Sequence, residues 1–350
     1  MINAKIAGVG SYLPGNPISN EDLCRVFDVE EWIFEDLGIE YRYWAADIND
    51  RKLKEAGYEM AAKASKRALD DAEISEQDID KLILVTAVPD YLMPNSAVLV
   101  QEKLGISECN TLELHAACAG AIQALEEAVI SIKSGYAKNV LVCCFNLMSP
   151  TSIRELNTER GKSISVVDIL SLGMFGDGAS AVIVSESEKN GILFTANNSI
   201  GTGKPAGMEL LAGGAVYPYN ELVINQKLDM WKHDAKAISE YGSGLSKRAL
   251  SEMIQKNKLR YSDIDHYIFP QANPSMLKAD IEVLKSNKEF PENRIFYNVD
   301  KVGNTSTPGL FIALDGLIKA GGVKNNDRIA IIGGEASKWL YGGALIQWIK

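Results

Sequence analysis

The sequence has no long apolar run, no block of basic residues and only three histidines. No stretch approaches the roughly 18 consecutive apolar residues of a transmembrane helix, so we expect no membrane span. The net charge is −10 and Lys and Arg are not clustered, which argues against nucleic acid as a partner because phosphate binding needs grouped cations. The N-terminus lacks a basic segment followed by an apolar core, so we also expect no signal peptide.

Cysteine is scarce and unpatterned. The cysteines show neither the spacing of a metal site nor the framework of a disulfide-rich domain: Cys24, Cys109, Cys118, Cys143 and Cys144. We therefore expect free thiols and no bound metal. Free thiols are typical of a reducing compartment, which predicts a cytoplasmic location.

The composition is that of an ordinary globular protein, with 46% hydrophobic and 23% charged residues. Its 350 residues are enough for one large or two medium α/β domains. Continuous apolar runs indicate strands that are covered on both faces: "LILVTAV", "NVLVCCF", "SAVIVSE" and "RIAIIGG". Helical patterns occupy Gly57–Ala72, Ala119–Lys133, Ala235–Lys256 and Thr307–Ala320. This alternation of elements predicts an α/β fold.

The chain contains a weak internal repeat. The pentapeptide "SKRAL" and a following "DID" each occur twice, at Ser65–Leu69 with Asp78–Asp80 and at Ser246–Leu250 with Asp263–Asp265. Each "DID" leads into an apolar run, so a helix, a turn and a strand recur in the same order. This predicts two duplicated halves, 1–190 and 191–350. The glycine-rich segment Gly201–Asn220 predicts a long loop that covers a site.

One cysteine lies where a strand-like run gives way to a helical pattern. In "ELHAACAGAIQALEEA", Cys118 comes directly before a helix expected to begin near Ala119. A helix N-terminus favours the thiolate through its dipole and its free N–H groups, and the N–H of Cys118 can point at an oxyanion. The alternative is a small buried packing residue. The small residues on both sides favour the first interpretation, because they leave room for a substrate.

Two further segments place polar or glycine residues after apolar runs. In "NVDKVGNTSTPG" (Asn298–Gly309), Asn304 is either a site residue or part of a turn and helix cap. In "IIGGEAS" (Ile331–Ser337), Gly333 and Gly334 end a buried strand. Paired glycines there allow either close approach of a ligand or a tight turn.

Together these segments resemble the ketoacyl-ACP synthase III-like enzymes of the thiolase superfamily. The motifs follow in that family's order: "EEWIFEDLGIEYR", "PDYLMPNSAVLVQEKLG", "HAACAGAIQALEEA", "FGDGAS", "PQAN", "NVDKVGNTSTPG" and "GGEAS". The resemblance covers nearly the whole chain, and the ordered set is specific although no single motif is. It implies a thiolase fold with duplicated halves in a five-layered αβαβα arrangement. It also implies a homodimer in which the strand near "NVLVCCF" pairs across the two-fold axis.

The resemblance also implies roles for individual residues. Cys118 matches the nucleophile that takes an acyl group from a thioester, and Gly334 matches the glycine whose N–H completes the oxyanion hole. Asn304 matches the asparagine that holds the thioester carbonyl of the second substrate. Trp32 matches the tryptophan that stacks on the adenine of coenzyme A, and Asn273 is placed with it among the residues that bind this substrate. Coenzyme A or phosphopantetheine thioesters are the implied substrates, with no permanently bound cofactor.

Pro270 departs from the family, which usually has a histidine at this position. Proline neither donates a hydrogen bond nor exchanges a proton, so Asn304 lacks the partner that helps it to stabilise an enolate after decarboxylation. Losing one such donor typically lowers the rate by about 10²–10³. The standard malonyl-dependent reaction is therefore in doubt.

Four other titratable residues are weighed as replacements. His115 lies three residues before Cys118, although strand alternation would direct the two to opposite faces. His233 is expected to begin a helix in solvent, and His266 to be a surface or packing residue. Glu335 is either a base or a solvent-facing loop charge.

Two departures concern the acyl donor. Ser275 replaces an arginine that often contacts coenzyme A phosphates, and Pro150–Leu172 is longer than in the housekeeping enzyme. Both fit a donor on a carrier protein or an unusual acceptor.

Three functions follow from these observations. The first is an acyltransferase that loads Cys118 and passes the acyl group to a carbon, oxygen or nitrogen nucleophile, in fatty-acid-like or secondary-metabolite biosynthesis. The second is an ordinary decarboxylative 3-oxoacyl-ACP synthase III. The third is a weakly active partner subunit of a homologous ketosynthase. We favour the first, because Pro270 weakens the decarboxylation that the second requires, and the retained Cys118, Asn304 and Gly334 argue against the third.

Overall fold

A computed structural model describes residues 2–157, 166–211, 213–217, 231–242, 244–285 and 289–350. Its strands form two large sheets and two small ones. The first large sheet has the order β1 (Asn3–Tyr12), β7 (Gly178–Ser187), β6 (Asn139–Asn146), β4 (Lys81–Thr86) and β5 (Asn110–His115). The second has the order β12 (Ile295–Phe296), β11 (His266–Ile268), β13 (Arg328–Glu335), β14 (Leu340–Gln347) and β8 (Ile192–Ser199). The small sheets pair β2 (Pro17–Ser19) with β3 (Tyr41–Tyr43), and β9 (Met208–Leu210) with β10 (Trp231–His233).

The two large sheets share one pattern of strand directions. In the first, β1, β7 and β6 are antiparallel neighbours, and β6, β4 and β5 are parallel neighbours. In the second, β8, β14 and β13 are antiparallel, and β13, β11 and β12 are parallel. Every strand of one sheet thus has a counterpart in the other, as expected of duplicated halves.

Helices separate and cover the two sheets. Within the described ranges they are α1 (Asn20–Phe27), α2 (Trp32–Glu35), α3 (Gly57–Ala72), α4 (Ser96–Leu104), α5 (Gly120–Lys133), α6 (Ser149–Asn157), α7 (Val166–Met174), α8 (Ala235–Ala237), α9 (Leu245–Asn257), α10 (Pro274–Lys285), α11 (Val299–Val302) and α12 (Gly309–Lys319). None of these helices combines the length and the apolar character that a membrane crossing requires.

Side chains that alternate along the strands divide between the layers. In β4, Ile83 and Val85 pack in a central core with α5 and α12, whereas Leu82 and Leu84 pack against α3 on the outer face. The residues of β13 alternate in the same way between the central core and a second outer core with α9 and α10. The layers therefore follow the order helix, sheet, helix, sheet, helix. This confirms the αβαβα arrangement that the resemblance implied.

Both copies of the repeated sequence lie at equivalent positions. The first "SKRAL" lies in α3 and the second in α9, and each helix covers the outer face of its own sheet. Each "DID" begins at the last residue of a short 3-10 turn, Glu76–Asp78 or Tyr261–Asp263, which leads into β4 or β11. The chain passes from one sheet to the other between Ser187 and Ile192. On that ground we retain a boundary near residue 190 as a proposal.

The expected pairing of the "NVLVCCF" strand across a two-fold axis was wrong. This strand is β6, which lies between β7 and β4 and is hydrogen-bonded along both edges. No strand of a second subunit can pair with it. The terminal strand of the described sheet on this side is β5, which pairs with β4 alone.

The predicted single helix Ala235–Lys256 was also wrong. α8 ends at Ala237, a π-helical turn covers Ile238–Gly242, and α9 begins only at Leu245. Gly244 has a φ of +89°, in the left-handed region, so a right-handed helix cannot run through it.

Two long segments are described only in part. The expected loop Gly201–Asn220 contains the short strand β9, and residues 212 and 218–220 lie outside the described ranges. The lengthened segment Pro150–Leu172 contributes to α6 and α7, and its residues 158–165 also lie outside them.

Candidate active site

Cys118 lies in the turn that joins β5 to α5. It is partly exposed, whereas Ala116 and Ala119 are buried, so it is the accessible point of a largely buried turn. Its Sγ lies 3.6 Å from the Oγ of Ser306, which belongs to the loop before α12. The turn therefore brings the predicted nucleophile against the second half of the chain.

Two glycines allow this close approach. A Cβ atom on Gly120 would lie 2.6 Å from the Cγ1 of Val85 and 2.8 Å from the Cβ of Ala116, well inside van der Waals contact. A Cβ atom on Gly333 would lie 3.4 Å from the Cα of Ala119. The missing side chains thus let the turn pack against both β4 and β13.

Burial, followed by the nearby carboxylate of Glu335, raises the pKa of Cys118 to about 11. The hydrogen bond with Ser306 acts in the opposite direction and lowers this pKa. At pH 7 the neutral thiol is therefore the favoured form. The sequence predicted that the helix N-terminus would favour the thiolate, but desolvation and a like charge outweigh it here. Attack on a thioester thus needs a group that removes the thiol proton as the new bond forms.

The carboxylate of Glu335 is hydrogen-bonded to the backbone of this turn. Its Oε2 accepts hydrogen bonds from the N–H of Ala117 at 3.1 Å and from the N–H of Ala119 at 3.3 Å. The hydroxyl of Ser337 donates to its Oε1. The side chain is buried, with 5% of the residue exposed. The alternative of a solvent-facing loop charge was therefore wrong.

Asn304 is fixed by its backbone and by its side chain. Its N–H donates to the carbonyl of Met174 at 3.0 Å, and its own carbonyl accepts from the N–H of Gly176 at 2.9 Å. Its Oδ1 accepts from the N–H of Ser306 at 2.8 Å. Because a backbone N–H can only donate, the Nδ2 of Asn304 is the end of the amide that can donate to a ligand. Ser306 has a φ of +54°, and in this conformation its Oγ faces Cys118.

Gly334 lies in β13, one residue before Glu335. A Cβ atom placed on it would lie 3.5 Å from the Cγ of Pro270, so the proline ring packs beside this glycine. The position expected to hold the family's histidine thus borders the loop expected to form the oxyanion hole. Pro270 brings no donor, acceptor or titratable side chain to it.

The two residues predicted to bind coenzyme A lie in different settings. Trp32 begins α2 and is 62% exposed, so its indole can receive a flat ligand. Asn273 is buried: its Oδ1 accepts from the N–H of Met276 at 2.8 Å, and its Nδ2 contacts the Sδ of Met174 at 3.5 Å. The first of these contacts caps α10, and the predicted roles of both residues toward a ligand stay predictions.

The surface around Trp32 is acidic. The exposed carboxylates within eight residues of it in the sequence are Asp28, Glu30, Glu31, Glu35, Asp36 and Glu40. Ser275, which replaces the family's arginine, donates its hydroxyl proton to the backbone carbonyl of Asp36 at 2.7 Å. Where the family often has an arginine, this chain thus has a neutral hydroxyl that is hydrogen-bonded within the acidic surface around Trp32.

The three histidines have other surroundings. The Nδ1 of His233 lies 3.2 Å from the Oγ of Ser171, and the residue ends β10 instead of beginning a helix as predicted. The Nε2 of His266 lies 3.1 Å from Asp327, which agrees with a structural role. His115 is exposed at the end of β5. In the described part of the chain, the side chain that forms a hydrogen bond with the thiol of Cys118 is that of Ser306.

Sequence reasoning missed Ser306 as a site residue. The motif "NTSTPG" pointed to Asn304 and to the start of a helix. Nothing in these residues shows that the hydroxyl of Ser306 contacts a thiol 188 residues earlier. The hydrogen bonds of Glu335 to the cysteine turn were missed for the same reason, since they span 218 and 216 residues. Only the occurrence of a carboxylate in a glycine loop was visible in advance.

Two family models match the chain, and together they contain the predicted nucleophile and its surroundings. The model for 3-oxoacyl-[acyl-carrier-protein] synthase III matches residues 112–201, and the model for the C-terminal part of the same enzymes matches residues 254–348. A beta-ketoacyl-[acyl-carrier-protein] synthase III from Fusobacterium nucleatum is 32% identical, over 98% of this chain and 98% of its own length. The chain belongs to the 3-oxoacyl-[acyl-carrier-protein] synthase III family. It is thus an enzyme of the thiolase superfamily and an acyltransferase of the condensing type.

Solved structures support this membership. The 3-oxoacyl-[acyl-carrier-protein] synthase III of Aquifex aeolicus superposes with a TM-score of 0.79 at 30% identity, covering 99% of this chain and 100% of that one. AbyA1, described as a tetronic acid condensing enzyme, superposes with a TM-score of 0.87 at 24% identity, with 99% and 100% covered. The second likeness is one of fold alone.

Proposed function

We propose that the protein takes an acyl group from a coenzyme A or carrier-protein thioester onto Cys118 and passes it to a carbon, oxygen or nitrogen nucleophile. The observation that carries the proposal is the partly exposed thiol at a strand-to-helix turn, with Ser306 in contact and Asn304 held beside Ser306. Forming a thioester on cysteine needs only the nucleophile, a proton acceptor and an oxyanion site. We place the oxyanion between the backbone N–H groups of Cys118 and Gly334.

The nature of the acceptor follows from Pro270. In a decarboxylative condensation an enolate must be stabilised, and Asn304 would do this alone because Pro270 cannot donate a hydrogen bond. Acceptors that need no enolate, or β-keto compounds that are already acidic, avoid this requirement. We therefore propose such acceptors, within fatty-acid-like or secondary-metabolite biosynthesis.

A second candidate is the ordinary decarboxylative reaction. The identity of 32% to a relative named beta-ketoacyl-[acyl-carrier-protein] synthase III, over nearly the full length of both chains, favours it. A radiolabelled malonyl thioester separates the two candidates. Our proposal predicts carbon dioxide release at least about 10²-fold slower than by a typical relative, and release at a comparable rate would establish the second candidate.

The loading step has its own test. Intact-protein mass spectrometry after mixing with an acyl thioester is expected to show one acyl adduct on the wild type and none on the Cys118→Ala variant. No adduct on the wild type, or an equal adduct on the variant, would refute the proposed function. The same preparations test whether the protein turns over without a second type of subunit, which a weakly active partner subunit would not do.

We also propose a homodimer and a cytoplasmic location. The terminal strand β5, which is paired on one edge only, is the edge that a second copy would extend. All five cysteines are free, as is usual in a reducing compartment. Sedimentation of the purified protein at several concentrations tests the first of these proposals.

A further inference from the structure

We propose that Glu335 acts as the general base and then the general acid in the loading of Cys118. The inference rests on the proposed function, because it assigns the proton transfers of that same half-reaction.

The position of the carboxylate is the first argument. Its Oε2 bonds to the N–H groups on both sides of residue 118, those of Ala117 and Ala119. A single oxygen that bonds to both neighbours of Cys118 must lie alongside that residue. Ser337 holds the other oxygen, so both ends of the carboxylate are fixed. Among the described residues the thiol bonds to Ser306 and not to Glu335, so we infer that its proton reaches the carboxylate through one water molecule.

The surroundings of the carboxylate are the second argument. Within the described ranges, no lysine or arginine forms an ion pair with Glu335, and its bonded partners are the two N–H groups and the Ser337 hydroxyl. Cys118 is the titratable group of the turn that faces Glu335. The negative charge of Glu335 opposes ionisation of the Cys118 thiol. Ionisation of the free thiol is therefore disfavoured, and we infer that its proton leaves as the sulfur attacks.

The reaction balances with no further reactant. As the sulfur of Cys118 bonds to the thioester carbon, its proton passes to the carboxylate of Glu335 and the carbonyl electrons move onto oxygen. When the tetrahedral intermediate collapses, the bond to the pantetheine sulfur breaks and that sulfur takes the proton back from Glu335. The products are the acylated Cys118, a free pantetheine thiol and the original carboxylate.

If Glu335 has only a structural role, a different result is expected. A carboxylate at the start of α5 stabilises that helix by its charge and its hydrogen bonds, whatever chemistry follows. Asp90 provides a matched case, because it accepts from the N–H of Gly57 at 2.6 Å and from the N–H of Tyr58 at 2.8 Å, at the start of α3. None of its bonded partners is a thiol. Asp90→Asn is therefore the control for removing a charge that caps a helix.

The experiment measures single-turnover acylation of Cys118 from a simple acyl-pantetheine thioester, for the wild type, Glu335→Gln and Asp90→Asn, across a range of pH. Glutamine keeps an oxygen acceptor and removes the base. We expect Glu335→Gln to acylate about 10²-fold more slowly at pH 7, with a rate that rises about tenfold per pH unit because it depends on free thiolate. The pKa of Cys118, measured from thiolate absorbance, is expected to fall in the same variant, because a like charge is gone.

A slower reaction of a more acidic thiol is the signature of a lost base. If the charge acts only by opposing ionisation, Glu335→Gln would acylate faster, and the proposal would be wrong. It would also be wrong if Glu335→Gln and Asp90→Asn both acylate like the wild type and differ from it only in melting temperature. Wild-type acylation that is itself absent would refute the proposed function instead of this inference.

A second variant covers the case in which Glu335→Gln does not fold. Glu335→Asp retains the carboxylate on a side chain shorter by one methylene. We expect slower acylation than in the wild type with the same shape of pH profile. A profile that rises about tenfold per pH unit in this variant would overturn the proposal, because the base would then play no part.

Discussion

The Oγ of Ser306 lies 3.6 Å from the Sγ of Cys118, although 188 residues separate them in the sequence. This contact joins the two halves of the chain at the candidate nucleophile. It also links two predicted site residues, since the N–H of Ser306 donates to the Oδ1 of Asn304. Ser306 therefore lies on the side of the thiol from which a hydrogen bond can favour the thiolate.

Removing the hydroxyl of Ser306 is expected to slow acylation of Cys118. Its hydrogen bond lowers the pKa of the thiol, so Ser306→Ala is predicted to raise that pKa further. One hydrogen bond of this kind contributes roughly 1 kcal/mol, which corresponds to about a fivefold change in rate. Stopped acylation reactions that are analysed by intact mass measure it. Ser107→Ala, at an exposed serine, is the control, and an unchanged rate in Ser306→Ala would contradict the prediction.

The thiol of Cys118 is expected to stay neutral across the physiological range. Its pKa is raised to about 11, so the neutral form predominates below that pH and thiolate accumulates only as the pH approaches it. Thiolate absorbance of the wild type minus that of Cys118→Ser is predicted to show no ionisation between pH 7 and about pH 9. A transition centred near pH 7 would show that the helix N-terminus dominates after all.

Asn304 is expected to act in the second half-reaction. Aspartate at this position keeps an oxygen for the N–H of Ser306 but removes the Nδ2 donor. Asn304→Asp is therefore predicted to reduce overall turnover by about 10²–10³ beyond any change in acylation. Burst kinetics separate the two steps, since the size of the burst reports loading and the later slope reports transfer. Equal losses in both phases would place Asn304 in the loading step instead.

The acidic surface around Trp32 is expected to disfavour coenzyme A relative to a bare pantetheine thioester. The adenosine of coenzyme A carries phosphates, which the exposed carboxylates of Glu31 and Glu35 would repel. The double variant Glu31→Lys, Glu35→Lys is predicted to raise kcat/KM for an acyl-CoA about tenfold at low salt, and less at high salt. The matched acyl-pantetheine lacks the adenosine and is the control. An equal gain for both thioesters would rule out phosphate repulsion.

Much of the fold could be predicted from local patterns. Continuous apolar runs identified β4, β6, β7 and β13. Both faces of each strand are covered, so consecutive residues must be apolar. The pattern for α3 matched its bounds, Gly57–Ala72. The break between α8 and α9 was missed because apolar spacing continues across the π-helical turn and across Gly244, whose positive φ a right-handed helix cannot adopt.

The other errors concern relationships between distant segments. The order of strands in a sheet is not encoded in any one strand, so the central position of β6 between β7 and β4 could not be read from "NVLVCCF". The contacts of Ser306 and Glu335 with the cysteine turn depend on how the two sheets pack against the central helices. The order of the motifs located Cys118 and Asn304. The positions of Ser306 and Glu335 beside the cysteine turn became visible only in the structure.

The central claim is that Cys118 carries the acyl group and gives it up to an acceptor. Peptide mapping of the wild type tests it most directly, after mixing with an acyl-pantetheine thioester and again after adding candidate nucleophiles. The acyl mass is expected on the peptide that contains Cys118, and it is expected to disappear as the acylated acceptor forms. An adduct on Cys24 or Cys109 instead, or an adduct on Cys118 that no carbon, oxygen or nitrogen nucleophile discharges, would contradict it.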